Sequence, residues 1–222
     1  MNIQVILFGA GGHAESVAGV IEAEGKYAIA GLIDSKKPIG SLAFGYEVLG
    51  REGHLPDIVN KMNFKEGLVC IGDNYQRSAL TGRIKNMIPD FNFITTIHPS
   101  AAVSHDVTIG SGTVVMAQAA INHGCRVGAG CIVNTKASLD HNSVMEDFSS
   151  LAPGVTCGGQ AFIGFCSAVG LGANVLGKIA IGNYTVVGAG SLVNKVIGDN
   201  KVAYGVPVQV IRDRNSDEPY LR

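Results

Sequence analysis

The sequence predicts two architectures in series: a small parallel α/β sheet over residues 1–95, then a parallel β-helix built from hexapeptides over residues 96–213. Three observations predict them. Every sixth residue from Ile97 to Val193 is aliphatic or Cys, seventeen positions in succession. Apolar residues make up about half of an ordinary chain, so such a run has chance odds of roughly one in 10⁵. Four residues after each of these positions the side chain is small or Val, with Ile179 the exception. Before residue 96, apolar runs ending at glycine turns alternate with segments of helical spacing, which marks strands and helices alternating in a parallel sheet.

The first part reads as follows. Residues 2–8 form a buried strand ending at Gly9-Ala10-Gly11-Gly12, and residues 13–24 follow with helical spacing through Val17, Val20 and Ile21. Residues 27–33 are a second strand ending at Asp34, residues 45–49 a short strand and residues 55–61 a helix. Residues 67–71 are another buried strand ended by Gly72-Asp73-Asn74; residues 76–87 are helical and residues 91–95 lead out.

In the second part, a large residue and then a small one every six positions fit a narrow prism. The large residue fills the interior, the small one packs near a corner, and three hexapeptides close one coil. Residues 18 apart then stack on successive coils, about 4.8 Å apart, the ordinary strand spacing. No hexapeptide carries an insertion, so a site must be assembled from the coil surface, the first domain or a neighbouring subunit. Residues 204–212 break the period with Gly205 and Pro207, which predicts a turn that packs on the coil. Residues 214–222 are polar and are expected to fray.

A net charge of −1 with 16% charged residues gives a nucleic acid no electrostatic footprint. The opening residues have no basic leader region, and their apolar run is too short for a membrane span. Five cysteines form no framework; Cys125, Cys131 and Cys157 fall on inward positions of the repeat, which suits a reduced, cytoplasmic protein.

The 18-residue rule sorts the histidines. His105, His123 and His141 fall in one outward-facing file, continued by Gly159 and Gly177. His105 reads as a solvated surface residue. His141 differs, because Gly159 above it opens space beside the imidazole and exposes backbone N–H. A base beside an amide donor is what acyl transfer needs: one removes the proton of the nucleophile, the other holds the oxyanion. Three residues in a straight file span about 9.6 Å and cannot share one metal, although two could. A metal-dependent hydratase is therefore a competing class. Elsewhere, Gly9-Ala10-Gly11-Gly12-His13-Ala14 meets the loose dinucleotide fingerprint, with Asp34 beyond it. A strand–turn–helix of this kind can seat phosphate on the helix N-terminus. Gly72-Asp73-Asn74 ends a second strand at the same edge of a parallel sheet.

Together these elements resemble the sugar acetyltransferases of the left-handed β-helix superfamily. The specific likeness is to the sialic-acid O-acetyltransferase type, which includes the N-acetyltransferases of nucleotide-linked 4-amino-6-deoxysugars. It rests on Gly9-Ala10-Gly11-Gly12-His13, Ile71-Gly72-Asp73-Asn74, His98-Pro99, Asn134-Thr135, Asp140-His141, Leu151-Ala152-Pro153-Gly154-Val155, Val187-Gly188-Ala189-Gly190-Ser191 and Gly205-Val206-Pro207. The resemblance implies a Rossmann-like first domain, a left-handed coil and a homotrimer with acetyl-CoA lying along the coils between subunits, without a metal. It implies His141 as general base, Gly159 as oxyanion donor, and acetyl-CoA contacts at Ser150, Leu171 and Ala189. The sugar nucleotide would sit near Gly11, Gly12, His13, Asp34, Ser35, Gly72 and Asp73, reaching toward His141 of a neighbour. Two departures stand out. Asn142 follows His141 where relatives often carry an acid, leaving Asn142 or Asp140 to support the ring, and Ser35 follows Asp34 where uracil readers often have a second acid. The leading expectation is an acetyl-CoA-dependent N-acetyltransferase of a nucleotide-linked amino sugar. An O-acetyltransferase of sialic acid, a metal-dependent hydratase and a non-catalytic nucleotide-sugar scaffold are its rivals.

Overall fold

The computed structural model describes residues 2–220. In the N-terminal sheet, β1 (Ile3–Phe8), β2 (Tyr27–Ile33), β3 (Leu42–Ala43), β4 (Tyr46–Gly50), β5 (Glu66–Val69) and β6 (Asn92–Phe93) lie in the order β3-β4-β2-β1-β5-β6. All pairings are parallel except β3 with β4. The central strand β1 alternates between two cores. Val5 and Leu7 face helix α1 (Gly12–Glu24), which contributes Ala14, Val17 and Ile21. Ile6 and Phe8 face α2 (Leu55–Met62) and α3 (Asn74–Met87) through Leu55, Val59, Leu80 and Ile84. A strand covered on both faces needs this unbroken apolar run.

The coil begins at the strand Thr96–Ile97 and places a two-residue strand on every apolar position as far as Leu192–Val193. Pairing follows the 18-residue step: Leu139 stands between Ile121 and Cys157, and Leu151 between Val133 and Val169. The small residues carry more than size. Thr113, Ser143, Ser167 and Thr185 are fully buried. Their hydroxyls donate to carbonyls one coil on, as Thr113 does to Gly128 (2.7 Å) and Ser143 to Gly158 (3.2 Å). The first three also accept the N–H 18 residues ahead, as from Cys131 and Ala161 (both 3.0 Å), and Thr185 accepts that of Lys201 (3.1 Å). These paired bonds satisfy backbone groups that the two-residue strands leave over at the corners. Lys136, Asn142, Phe148 and Gln160 turn their corners with φ of 59°, 58°, 57° and 62°. The left-handed region costs a side-chain-bearing residue about 1 kcal/mol, least for Asn, and apolar periodicity carries no trace of it.

Beyond the coil, Lys201–Tyr204 runs parallel to Val186–Val187, and Gln209–Asp213 returns antiparallel to it, so the break in the period is a hairpin that extends one sheet of the prism. Residues 214–220, expected to fray, make specific contacts with the coil and with one another. Arg214 is buried, donates to the carbonyls of Tyr184 (2.7 Å) and Glu218, and lies 6.0 Å from the centroid of the Tyr220 ring. Arg212 pairs with Glu218, so three charged residues in a polar stretch become its internal fasteners. Leu221 and Arg222 lie outside the described residues.

The two parts meet at Arg77, 1% exposed, on the buried face of α3. Its Nε donates to Gly130 O (2.7 Å), Nη1 to Ile71 O (2.8 Å) and Gly72 O (3.0 Å), and Nη2 to Asn74 Oδ1 (2.6 Å) and Phe148 O (3.0 Å). All five guanidinium N–H groups are thus satisfied, two of them by the coil and three by the first domain. Asn74 completes the clasp by donating to Ser150 Oγ (3.0 Å) and Ser167 O (2.9 Å). Arg77→Leu leaves several buried acceptors without a donor and is expected to cost about 3 kcal/mol in urea unfolding. Arg83→Leu, which removes only the exposed pair with Glu52, serves as the control and is expected to stay within about 1 kcal/mol.

Candidate active site

The carboxyl edge of the N-terminal sheet opens into a cavity of about 560 Å³. Its walls include Gly9, Ala10, Gly11 and His13 after β1, Asp34, Ser35 and Lys36 after β2, Glu52 after β4, and Gly72, Tyr75, Gln76 and Arg83 after β5. Gly9 holds φ +119°, and a Cβ there would lie 3.0 Å from Cys70 O, so the turn needs glycine to pass the β5 strand end. The first bond within α1 is Glu15 N–H to Gly11 O (3.0 Å), and no side chain caps the helix. The earlier N–H groups form an electropositive end suited to an anion.

Of the residues expected to hold a sugar nucleotide, Gly11, His13, Asp34, Ser35 and Gly72 line this cavity. Gly12 opens the helix, outside both cavity walls described here. Asp73 turns away to cap α3, accepting Gln76 N–H at 3.0 Å. Asp34 is occupied as well: Oδ2 accepts Ala10 N–H (2.8 Å), and Oδ1 accepts Lys36 N–H (2.7 Å) and Lys37 N–H (2.9 Å). Desolvation opposes its charge, but the bonds from Lys37, Lys36 and Ala10 outweigh it and hold the carboxyl below the ordinary carboxylate range.

A second cavity, about 420 Å³, runs along one face of the coil. Ser150, Leu171 and Ala189, the expected acetyl-CoA contacts, all line it, among small apolar residues such as Ala168 and Val186. At its inner end it is walled by His13 and Gly72, which also wall the first cavity, and by Tyr220. His13 therefore stands between the two spaces. Its Nε2 is buried without a partner among the described residues. Burial first, and the Arg77 charge second, push its pKa down to about 4.

His141 follows the strand Ser138–Leu139, on a different sheet from Ser150–Leu151, and lines neither cavity. The ring is exposed, and its Nδ1 lies 3.1 Å from Asn142 Oδ1. With Oδ1 accepting, Nδ1 carries the proton and Nε2 presents its lone pair. Asn142 is wedged in place: a Cβ on Gly124 would lie 2.7 Å from its Nδ2. Asp140, the other candidate support, does not touch the ring; its Oδ1 accepts Asn122 Nδ2 and His141 N–H, both at 2.8 Å. On the other side, a Cβ on Gly159 would lie 2.3 Å from His141 Nε2, so only glycine admits the ring here. The N–H at this register is left over by the coil ladder. Asp147 takes it at Ala129 and Asn183 takes it at Phe165. The residue above Gly159 is another glycine, Gly177, and the Gly159 N–H has no acceptor among the described residues.

The other histidines of the file differ. His123 Nδ1 pairs with Asp106 Oδ2 at 2.7 Å, and His105 is exposed. No group of three or more His, Cys, Asp or Glu among the described residues is placed to hold a metal ion. Cys157 is buried and its thiol is pushed up to about 12 by burial, which removes it as a nucleophile. No helix among the described residues is long and apolar enough to cross a membrane. Two participants escaped the sequence reading. Arg77 was legible in principle, since Arg77, Leu80 and Ile84 share helical spacing. Tyr220 carried only the signal of a lone aromatic in a polar tail.

A hexapeptide coil is joined here to a glycine-turn α/β domain, and comparison with known proteins places this pairing in a family. Residues 4–84 match the PglD N-terminal domain family. Over 95% of this chain and 97% of the other, the fold superposes with TM-score 0.89 and 32% identity on a histidine-to-asparagine mutant of perosamine N-acetyltransferase from Caulobacter crescentus, in complex with CoA and GDP-perosamine. The acetyltransferase domain of PglB from Neisseria gonorrhoeae, in complex with acetyl coenzyme A, superposes with TM-score 0.86 and 30% identity over 95% of this chain and 100% of that one. A curated relative, UDP-N-acetylbacillosamine N-acetyltransferase of Bacillus subtilis, is 34% identical over 121 residues, 51% of this chain and 51% of that protein. The chain spans about half the length of the curated relatives it matches. The chain belongs to the hexapeptide-repeat, left-handed β-helix family of sugar acetyltransferases.

The isolation of His13 has a measurable sign. Its folded pKa lies below the unfolded value of 6.5, so the unfolded chain binds the extra proton first. Stability contributed by neutral His13 is present above pH 6.5 and is lost as the pH falls toward about 4. NMR titration is expected to show the His13 imidazole still neutral at pH 5, and His13→Gln to abolish that resonance and flatten the acid limb of stability.

Proposed function

We propose that the protein is an acetyl-CoA-dependent N-acetyltransferase acting on the amino group of a nucleotide-linked amino sugar, with His141 as general base. The observation that carries this reading is the packing of His141 on Gly159. Among the described residues Nε2 has no hydrogen-bond partner and the neighbouring Gly159 N–H no acceptor, while Nδ1 is held by Asn142. The coil cavity fits the thioester co-substrate: it spans four successive coils, is lined largely by apolar residues, and includes Ser150 in its wall. The α/β cavity fits the nucleotide sugar, because the uncapped α1 N-terminus and Lys36 favour a diphosphate.

The chemistry follows from these positions. The amine attacks the thioester carbonyl; an N–C bond forms and the C–S bond breaks. His141 Nε2 takes the proton from nitrogen and returns it to the departing thiolate. The Gly159 N–H holds the carbonyl oxygen while it is negative. The neighbouring structures contain CoA or acetyl-CoA, and one contains GDP-perosamine, which supports both ligand classes. His141 is exposed and lines neither cavity of its own chain, so a working site takes His141 from a second copy. A homotrimer of three-sided prisms supplies it three times over. Five buried, unpaired cysteines suit a reducing compartment such as the cytoplasm.

The test is thiol release from acetyl-CoA against UDP-, dTDP- and GDP-linked 4-amino sugars and free sialic acid. Acetylation of a nucleotide-linked amine is expected, and acetylation of sialic acid alone would replace this reading with the O-acetyltransferase one. In the productive pair, His141→Ala is expected to lower kcat about 10³-fold with KM little changed. Gly159→Ala, whose Cβ displaces the ring, is expected to lower kcat at least about 10²-fold while the protein remains folded. Full rate in His141→Ala would sink the general-base role.

A further inference from the structure

The inner end of the coil groove is closed by the C-terminal tail. Tyr220 lines the groove with His13, Gly72 and Ser150, about seventy residues away in sequence from the nearest of them. Its hydroxyl accepts Asn74 N–H (3.2 Å) and donates to Gly72 O (3.3 Å). Asn74 is itself fixed to Arg77 and to Ser150 Oγ. On the tail side, Arg214 is buried against Tyr184 O and lies over the phenol ring. The side chain is thus pinned at its tip and along its face. The hydroxyl bonds main chain on both sides, so it is the ring that the groove presents to a ligand.

The position of that ring defines a role. The groove and the α/β cavity share His13 and Gly72, so the two spaces adjoin at this end. On the proposed function, the acyl group reaches this shared end and the bulk of CoA extends toward Ala189. We infer that Tyr220 is a specificity-determining residue, an end wall that limits the donor to a short acyl group. This rests on the reading of the groove as a CoA-thioester site. The ring occupies the space that the third and fourth carbons of a longer acyl chain would enter. A rigid aromatic wall discriminates by excluded volume, and one methylene in such a site is worth about 10–200-fold.

The test needs no acceptor. Free CoA, acetyl-CoA and butyryl-CoA are titrated calorimetrically into the intact protein, the Tyr220→Phe variant and the Tyr220→Ala variant. The wild type is expected to bind acetyl-CoA more tightly than butyryl-CoA. Tyr220→Ala is expected to shift the ratio of the two affinities at least about 10-fold toward butyryl-CoA, and Tyr220→Phe, which keeps the ring, to leave the ratio within about twofold. Where Tyr220→Ala fails to fold, Tyr220→Leu removes the ring while retaining packing. An unchanged ratio in the truncated variant overturns the inference. So does equal tightening for all three ligands, which would make the tail a removable plug. A wild type that binds none of them overturns the thioester reading of the groove itself, an outcome distinct from failure of the end wall alone.

Discussion

The arrangement of this molecule depends on one buried cation with no carboxylate among its hydrogen-bond partners. Arg77 is held by four main-chain carbonyls and one amide oxygen, and these come from both halves of the chain. Carbonyl dipoles that converge on a guanidinium replace much of its lost hydration, and each bond to an ionised donor is stronger than a neutral one. Burial still pulls its pKa down from the usual arginine value, but the group stays charged because arginine starts so high. A lysine has three donors on a point charge and could not reach five acceptors set in a plane. Through its five bonds this one side chain ties α3 and Gly72 to two successive corners of the coil, beside the apolar contact of α1 with Val114 and Met116.

The coil was legible because its constraint is local and repeated. A triangular interior needs a large residue and a small one every six positions, and that demand is written directly into the sequence. What periodicity could not convey were features that leave composition unchanged. The left-handed corners accept Lys136, Phe148 and Gln160 as well as Asn142, so residue type did not announce them. The hydroxyl bridges of Thr113 and Ser143 were visible only as small residues. The N-terminal strands and helices were readable from apolar runs and glycine turns, but the two-residue strand β3 and the terminal hairpin were too short or too irregular to declare themselves.

The site divided along the same line. Residues fixed by register were placed by arithmetic: the His141–Gly159 stack is one coil step, and the structure puts the imidazole against that glycine. Residues fixed by long-range packing were not. Nothing near Tyr220 in sequence points to Gly72, and nothing at Asp73 distinguishes a helix cap from a ligand contact. Asp34 is instructive, since a fingerprint acid at the end of a second strand suggests a ligand, yet here its oxygens already bind three main-chain N–H groups. Its charge shapes the loop at the cavity wall.

The wall that His13 and Gly72 form between the two cavities has a thermodynamic meaning. Two binding spaces with a common partition are not independent. A ligand that shifts the partition changes the affinity of the other space by some factor, and equilibrium linkage requires the second ligand to return that same factor to the first. At this partition stands an uncharged imidazole with a nitrogen that has no partner among the described residues. An occupant that supplied that partner would act on a wall of the adjoining space as well, which is the physical route by which one ring couples two cavities.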